Sequence, residues 1–183
     1  MNALPFRRAI ATVMLLLGVH YAAADETADR RTSAGVRLFR AVLAADTDLA
    51  KKTVAPNQLL IVFVCVDDRR GAADLAQRFV QEIRGLSVVT EVTTDATFAG
   101  YAKRVPAGIF IAQPPGKQAL ASIIRYGIQN RVVVYSPFEG HVESGVLCGL
   151  SVEAQVRPFV NRATLAASQI SLKPFFLEVA KVY

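Results

Sequence analysis

The sequence is poor in the residues and motifs on which most catalytic and cofactor sites depend. It has two histidines and two cysteines in 183 residues. No G-x-G-x-x-G turn and no Walker lysine follow its first strand pattern, which disfavours the familiar modes of nucleotide binding. Beyond the start of the chain the single histidine is His141, and no G-x-S-x-G elbow accompanies a serine. The sequence therefore offers no ready-made metal site or acyl-transfer triad.

The first 24 residues predict export. Arg7 and Arg8 precede a largely apolar run over 9–19, and the small side chains from Ala22 to Ala24 suit signal peptidase. The alternative is a membrane anchor, but a spanning helix needs about 20 apolar residues and this run is shorter. No later segment is long and apolar enough to span a membrane. We therefore expect a cleaved signal peptide and a mature protein located in the periplasm.

Length and charge limit the classes of function. Removing the first 24 of 183 residues leaves 159, which suits one domain with a single core. The formal charge falls from +6 to +4, because the removed segment holds two arginines and no acid. The remaining arginines are scattered and do not alternate with aromatic residues. This distribution disfavours nucleic acid as a partner.

The apolar pattern alternates between strand and helix. The β-branched run over 59–66 is typical of a strand that is buried on both faces. After it, Leu75, Phe79 and Ile83 share one helical stripe. Further strands are predicted over 87–93, 107–112, 131–135, 145–152 and 156–160. Further helices are predicted from residue 32, over 95–104, over the segment with apolar residues at 120, 123, 124 and 128, after the capping residue Asn161, and from Pro174.

This alternation predicts an α/β fold, a three-layer sandwich with a mostly parallel sheet. The last two strands are separated only by residues 153–155. So short a connection predicts an antiparallel C-terminal hairpin at the edge of the sheet. The predicted organisation is a signal peptide over 1–24, a flexible segment over 25–33 and a single α/β domain over 34–183.

Candidate functional residues follow the strands. Parallel α/β sheets bind ligands at the carboxyl ends of their strands, so polar side chains there are the first candidates for ligand or partner contacts. The candidates are Asp67, Asp68, Arg69, Arg70, Gln113, Ser136, Glu139, His141 and Glu143.

Each group of candidates has two interpretations. The turn over 67–70 is either a salt-bridged surface turn or a charged mouth for a small polar ligand. Glu139, His141 and Glu143 are ligand types that zinc accepts, but one histidine among flexible acids is typical of a polar loop, and we expect no metal or cofactor. An acyl-transfer site would require His141 to reach a serine such as Ser136 and to find a carboxylate partner.

The cysteines and the late aromatic residues also leave alternatives open. Cys65 and Cys148 either form a disulfide, which an oxidising compartment permits, or remain two buried thiols. The aromatic residues either belong to the core or a lid, or are exposed together and mark a protein-binding patch. They are Phe138, Phe159, Phe175 and Phe176.

The last fifty residues carry a family resemblance. The glycine-bounded strand GVLCGLSVE, Asn161 at a strand-to-helix junction and the apolar ending LKPFFLEV resemble the C-terminal half of YfiR-like proteins. The resemblance implies a small exported α/β protein without enzymatic activity. Such a protein binds and represses the sensor region of an inner-membrane signalling protein, a diguanylate cyclase or a sensor kinase. A homodimer is one implied state. The chain departs from the family in having no tryptophan.

A second resemblance gives an alternative function. The segment GVLCGLSVEA followed by VNRATL is loosely similar to the end of the second lobe of periplasmic solute receptors. Those receptors need two lobes, and 159 residues supply one. The alternative is therefore a small-molecule-binding receptor related to a single lobe.

Overall fold

An eight-stranded sheet forms the centre of the molecule. The computed structural model describes residues 30–183, so the predicted signal peptide lies outside the described residues. Residues 30–33, which the sequence assigns to a flexible segment, lie in a helix. Residues Gly35–Tyr183 form one compact unit.

The elements alternate along the chain much as the sequence pattern predicts. None of the helices within residues 30–183 is long and apolar enough to cross a membrane. The strands are β1 (Thr53–Ala55), β2 (Gln58–Val64), β3 (Ser87–Thr93), β4 (Gly108–Ile111), β5 (Val133–Ser136), β6 (Cys148–Val152), β7 (Val156–Val160) and β8 (Lys181–Val182). The helices are α1 over 30–45, α2 (Arg69–Phe79), α3 (Lys117–Asn130), α4 (Arg162–Ser168) and α5 (Pro174–Val179).

The sheet is mostly parallel, as predicted. Strand β2 pairs in parallel with β3 on one side and with β4 on the other, and β4, β5 and β6 continue in parallel. Strand β7 then runs antiparallel to β6, which confirms the C-terminal hairpin, and β8 lies beyond it. The chain leaves β2 first to one side and then to the other. The carboxyl ends of β2 and β4 therefore form the topological switch point, where doubly wound sheets bind their ligands.

Two apolar layers enclose the sheet and confirm the three-layer sandwich. Successive β2 side chains point to opposite faces, so Ile61 and Phe63 join one core while Leu60 and Val62 join the other. The first core receives apolar side chains from α1, α2 and α5. The second receives them from α3, against which α4 packs. Gly108 lets α1 approach β4, since a Cβ there would lie 2.7 Å from the Phe39 ring.

Two predicted helices differ from the structure. The segment over 95–104 forms only a 3-10 turn, Ala99–Tyr101. The Asp95 side chain accepts hydrogen bonds from the Thr97 and Ala99 amides, and Phe98 adopts a left-handed conformation with φ 57°. These local bonds satisfy the amides without a continuing helix. Helix α2 begins at Arg69, where Asp68 caps it, and ends at Phe79, so Ile83 of the predicted stripe lies beyond the helix.

Two short strands were not predicted. β1 forms a hairpin with the start of β2, and β8 joins the sheet beside β7. Each has only two or three residues, all at least partly exposed. Neither strand therefore carries an apolar pattern long enough to be recognised in a sequence.

Cys65 and Cys148 are separate buried thiols. Cys65 directly follows β2, and Cys148 begins β6, with β4 and β5 lying between these strands. Three strand spacings separate the two by about 14 Å. A disulfide needs Cα atoms within about 7 Å, so the sheet itself prevents the bond that the sequence left open.

Candidate functional site

Gln113 occupies the switch point of the sheet. It follows β4, and its side-chain oxygen accepts hydrogen bonds from three successive amides after β2, those of Val66 (2.8 Å), Asp67 (3.1 Å) and Asp68 (3.0 Å). Its amide nitrogen donates to Asp67 Oδ1 at 2.8 Å. A turn of consecutive amides is the backbone arrangement that holds anions in many α/β proteins. Here the acceptor is supplied by the chain itself.

The other charged residues of this turn also serve the local structure. Asp68 Oδ1 accepts from the Gly71 amide at 2.8 Å and so caps α2. Arg69 lies within 3.4 Å of the Val92 carbonyl oxygen and thus links the turn to β3. Arg70 is exposed at the surface. Asp67 and Gln113, both named by the sequence as candidates for ligand or partner contact, are thus brought together and bond to each other.

Ser136 and His141 lie in contact after β5. Ser136 Oγ is 2.8 Å from His141 Nδ1, and it also accepts from the Phe138 amide at 3.2 Å. The Phe138 ring packs against the imidazole, with ring centres 5.6 Å apart. Burial lowers the pKa of His141, and Glu143 opposes this effect. These contacts fit a neutral ring whose Nδ1 accepts the hydroxyl proton of Ser136.

The Ser136–His141 pair does not form a catalytic triad. Ser136 is fully buried, so its hydroxyl cannot reach a substrate carbonyl without opening of the loop. Within residues 30–183 no carboxylate is hydrogen-bonded to the His141 ring. Glu139 and Glu143 are exposed. No group of three or more potential metal ligands is present in the described part of the chain. The pair holds the loop in shape.

Two buried polar residues, Asn161 and Thr164, also hold the loop between β5 and β6 in place. Asn161 accepts from the Thr164 amide at 2.9 Å, which confirms the predicted helix cap, and its Nδ2 also donates to the Val142 carbonyl at 2.8 Å. Thr164 Oγ1 donates to the Gly145 carbonyl at 2.8 Å. Sequence reasoning missed this second role of Asn161, since its bonding partner lies 19 residues away.

The C-terminal edge of the sheet is different in character. Phe159 and Phe176 are buried, and Phe138 is half-buried. Phe175, however, is 61% exposed, together with Val179 (57%) and Tyr183 (60%). Phe175 and Val179 are four residues apart on α5, which contacts β7, and Tyr183 follows β8. The i, i+4 spacing of Phe175 and Val179 is the sequence signal for this exposed apolar face.

The structure and the comparisons define the fold class as an α/β protein whose mostly parallel sheet has a topological switch point. No family model and no curated protein matches the chain. It is similar to the ABC domain of Streptococcus pneumoniae in complex with L-Trp, with TM-score 0.53 and 12% identity over 78% of this chain and 62% of that one. It is also similar to a conserved domain protein of Vibrio cholerae, with TM-score 0.51 and 15% identity over 73% of this chain and 57% of that one. The chain spans about three fifths of each, and at such identity the likeness concerns the fold alone.

Proposed function

We propose that this protein is an exported periplasmic regulator. It binds and represses the sensor region of an inner-membrane signalling protein, a diguanylate cyclase or a sensor kinase. The observation that carries the proposal is the exposure of apolar side chains at the C-terminal edge, Phe175 and Val179 on α5 and Tyr183 after β8. The YfiR-like resemblance of the segment over 131–183 supports the same role.

The energetics of this edge favour a protein partner. Burying an exposed Phe or Val side chain yields about 1.5–3 kcal/mol. Several such side chains near one edge therefore supply much of the free energy that a specific interface requires. Lys173 Nζ lies 5.9 Å above the Phe175 ring, and Lys181 lies 5.1 Å above the buried Phe159 ring. Lys181 is already paired with Glu153 at 2.8 Å, so we expect a partner surface with an apolar centre.

The strand-end loops support regulation by contact rather than by reaction. Gln113 satisfies the amides after β2, and Ser136 is buried beneath His141. These polar groups bond to one another, so the strand ends present few free groups for chemistry. The proposal accordingly assigns the protein no enzymatic activity and no cofactor.

The test is capture of the partner together with a defective variant. The predicted mature protein, residues 25–183, is immobilised through an amino-terminal tag and exposed to detergent-solubilised cell envelope. We expect enrichment of one inner-membrane signalling protein, and loss of that enrichment with the double variant Phe175→Ser, Val179→Ser. The control is Val80→Ser, because Val80 is a 50% exposed apolar residue that follows α2.

Function is then measured with the purified partner. Addition of the wild-type protein should lower the partner's cyclase or kinase output, and the double variant should not. The proposal fails if no signalling protein is enriched, or if the double variant and the Val80→Ser control bind the same partner equally well.

A second candidate is a receptor for a small molecule. The observation that favours it is the likeness to a domain that is in complex with L-Trp. In this chain the amides at the switch point are already bonded to Gln113, so a ligand would have to displace that side chain. A saturable rise in melting temperature with L-Trp or another amino acid would favour this candidate. No rise with any amino acid would leave the regulator as the better proposal.

A further inference from the structure

A basic cleft lies at the amino ends of β2 and β4, at the opposite end of these strands from Gln113. Its volume is about 420 Å³, and every charged residue of its lining is a cation. The lining includes Lys51, Lys52, Lys103 and Arg104, with the polar side chains of Thr53 and Asn130. Ligand pockets commonly have volumes of about 300–1,000 Å³. The cleft therefore has the size of a small-molecule site.

The topology explains why the cleft forms at this place. β1 pairs with residues 58 and 59 at the start of β2, and β4 pairs with β2 only from Ile61 onwards. β1 and β4 thus lie on the same side of β2 and follow each other along it, and the loop before β4 lies next to β1. The end of α3 closes the same space with Asn130. Lys51–Lys52 and Lys103–Arg104, two adjacent pairs of basic residues, are brought together here from distant parts of the chain.

The acids that neutralise these cations lie outside the lining. Lys51 pairs with Asp48 at 2.7 Å, Lys52 with Asp46 at 2.6 Å, and Arg104 with Glu91 at 3.0 Å. Lys103 has no ion pair within residues 30–183, and it is exposed. The lining of the cleft itself therefore carries positive charge and no acidic side chain.

One of the four cations is held in place, and three are available to a ligand. Asp46 is fully buried, and Lys52 Nζ bonds both to it and to the Arg131 carbonyl, each at 2.6 Å. Lys52 thus provides a fixed positive charge. The pairs of Lys51 and Arg104 reach solvent, and such exposed pairs contribute little to stability. A ligand with two negative charges can replace those carboxylates at small cost.

We propose that this cleft binds a small molecule that carries at least two phosphate groups. Lysine ammonium groups bind phosphate as point charges, and the Arg104 guanidinium can bind two of its oxygens at once. The ligand is either a free phosphorylated compound or the headgroup of an anionic lipid, which present the same chemistry. The site is independent of the regulator function, since it lies at the amino ends of β2 and β4.

The direct test is calorimetric titration of the full chain with inorganic pyrophosphate at low ionic strength. We expect saturable binding that weakens as salt is added, because salt screens the charges. Lys103→Glu should weaken it about tenfold or more, a free-energy change of about 1.4 kcal/mol. The matched control is Lys117→Glu, which makes the same charge change at an exposed lysine of α3 outside the cleft. It should change affinity less than about twofold.

Two results would overturn the proposal. One is the absence of saturable pyrophosphate binding to a wild-type protein whose circular dichroism is that of a folded domain. The other is equal weakening by Lys103→Glu and Lys117→Glu, which would indicate attraction by net charge alone. Flotation with vesicles that contain cardiolipin, whose headgroup carries two phosphates, then identifies the source of the phosphate. Vesicle binding that pyrophosphate competes away supports a lipid headgroup, and pyrophosphate binding without vesicle binding supports a free compound.

Discussion

The strand-end loops and the C-terminal edge of the same sheet differ in how their side chains are satisfied. At the strand ends, Gln113, Ser136, His141 and Asn161 bond to the chain itself. At the C-terminal edge, the apolar side chains of Phe175, Val179 and Tyr183 are exposed to solvent. Polar groups that are satisfied internally hold a structure, whereas apolar groups left exposed are available for binding. The comparison assigns structural roles to the polar groups at the strand ends, and it locates the proposed partner contact at the C-terminal edge.

The largest expected effect is at Asn161. Asn161→Ala removes the cap of α4 and one of the two hydrogen bonds to the buried Val142 carbonyl, which keeps its bond from the Gly145 amide. Loss of a cap costs about 1 kcal/mol, and loss of one such hydrogen bond costs about 0.5–1.5 kcal/mol. We expect unfolding in urea to show a loss of about 1.5–2.5 kcal/mol. The control is Asn130→Ala, since Asn130 is exposed. Equal losses in both variants would contradict a structural role for Asn161.

A smaller loss is expected at Gln113. Gln113→Ala removes the acceptor for three amides, but the turn is open to solvent, so water can replace it. We expect a loss of about 1 kcal/mol in the free energy of unfolding. The neighbouring exposed Arg70→Ala should change stability by less than about 0.5 kcal/mol. If Gln113→Ala changes the free energy of unfolding as little as Arg70→Ala does, the hydrogen bonds of Gln113 at the switch point do not stabilise the fold.

The Ser136–His141 contact predicts a modest pH dependence. Burial lowers the pKa of His141 in the folded protein, so below its ordinary value of 6.5 the unfolded chain binds more protons. Stability should therefore be complete above that value and should decline as the pH falls from it towards the folded-state pKa. Melting temperatures measured across this range should fall less for His141→Gln. Parallel curves for the two proteins would contradict the assignment of a neutral, buried imidazole.

The smallest effect on stability is expected at Phe175. Phe175→Ser changes an exposed side chain, so the free energy of unfolding should move by less than about 0.5 kcal/mol while partner binding is lost. Phe176→Ser is the matched control in the opposite sense, because Phe176 is buried in the core. It should destabilise the fold strongly. A large loss of stability with Phe175→Ser would show that this side chain belongs to the structure.

Much of the fold could be predicted because its signals are local. The apolar run of β2 and the helical stripe of α3 are readable from neighbouring residues. The helix predicted over 95–104 was wrong because the Asp95 side chain accepts hydrogen bonds from the following amides, in a turn that competes with a helix. β1 and β8 were missed because each is stabilised by pairing with a strand and carries no pattern of its own.

The candidate site was predictable in position but not in chemistry. Parallel topology alone places Asp67, Gln113 and Ser136 at the carboxyl ends of their strands. Whether such groups bond to a ligand or to each other depends on the distances between them across the sheet, which the sequence does not give. Gln113 lies 45 to 47 residues from the amides that it binds, so no local pattern reveals that contact.

The sequence by itself determined the α/β alternation, the C-terminal hairpin, the cap at Asn161 and the helix start at Pro174, since each depends on residues close together in the chain. Only the tertiary structure decided that Cys65 and Cys148 stay apart, because two strands lie between theirs. It also decided that Gln113 fills the switch point, and that two separate basic pairs line one cleft. The physical reason is that sheet order sets distances between residues far apart in sequence, and those distances decide which groups bond.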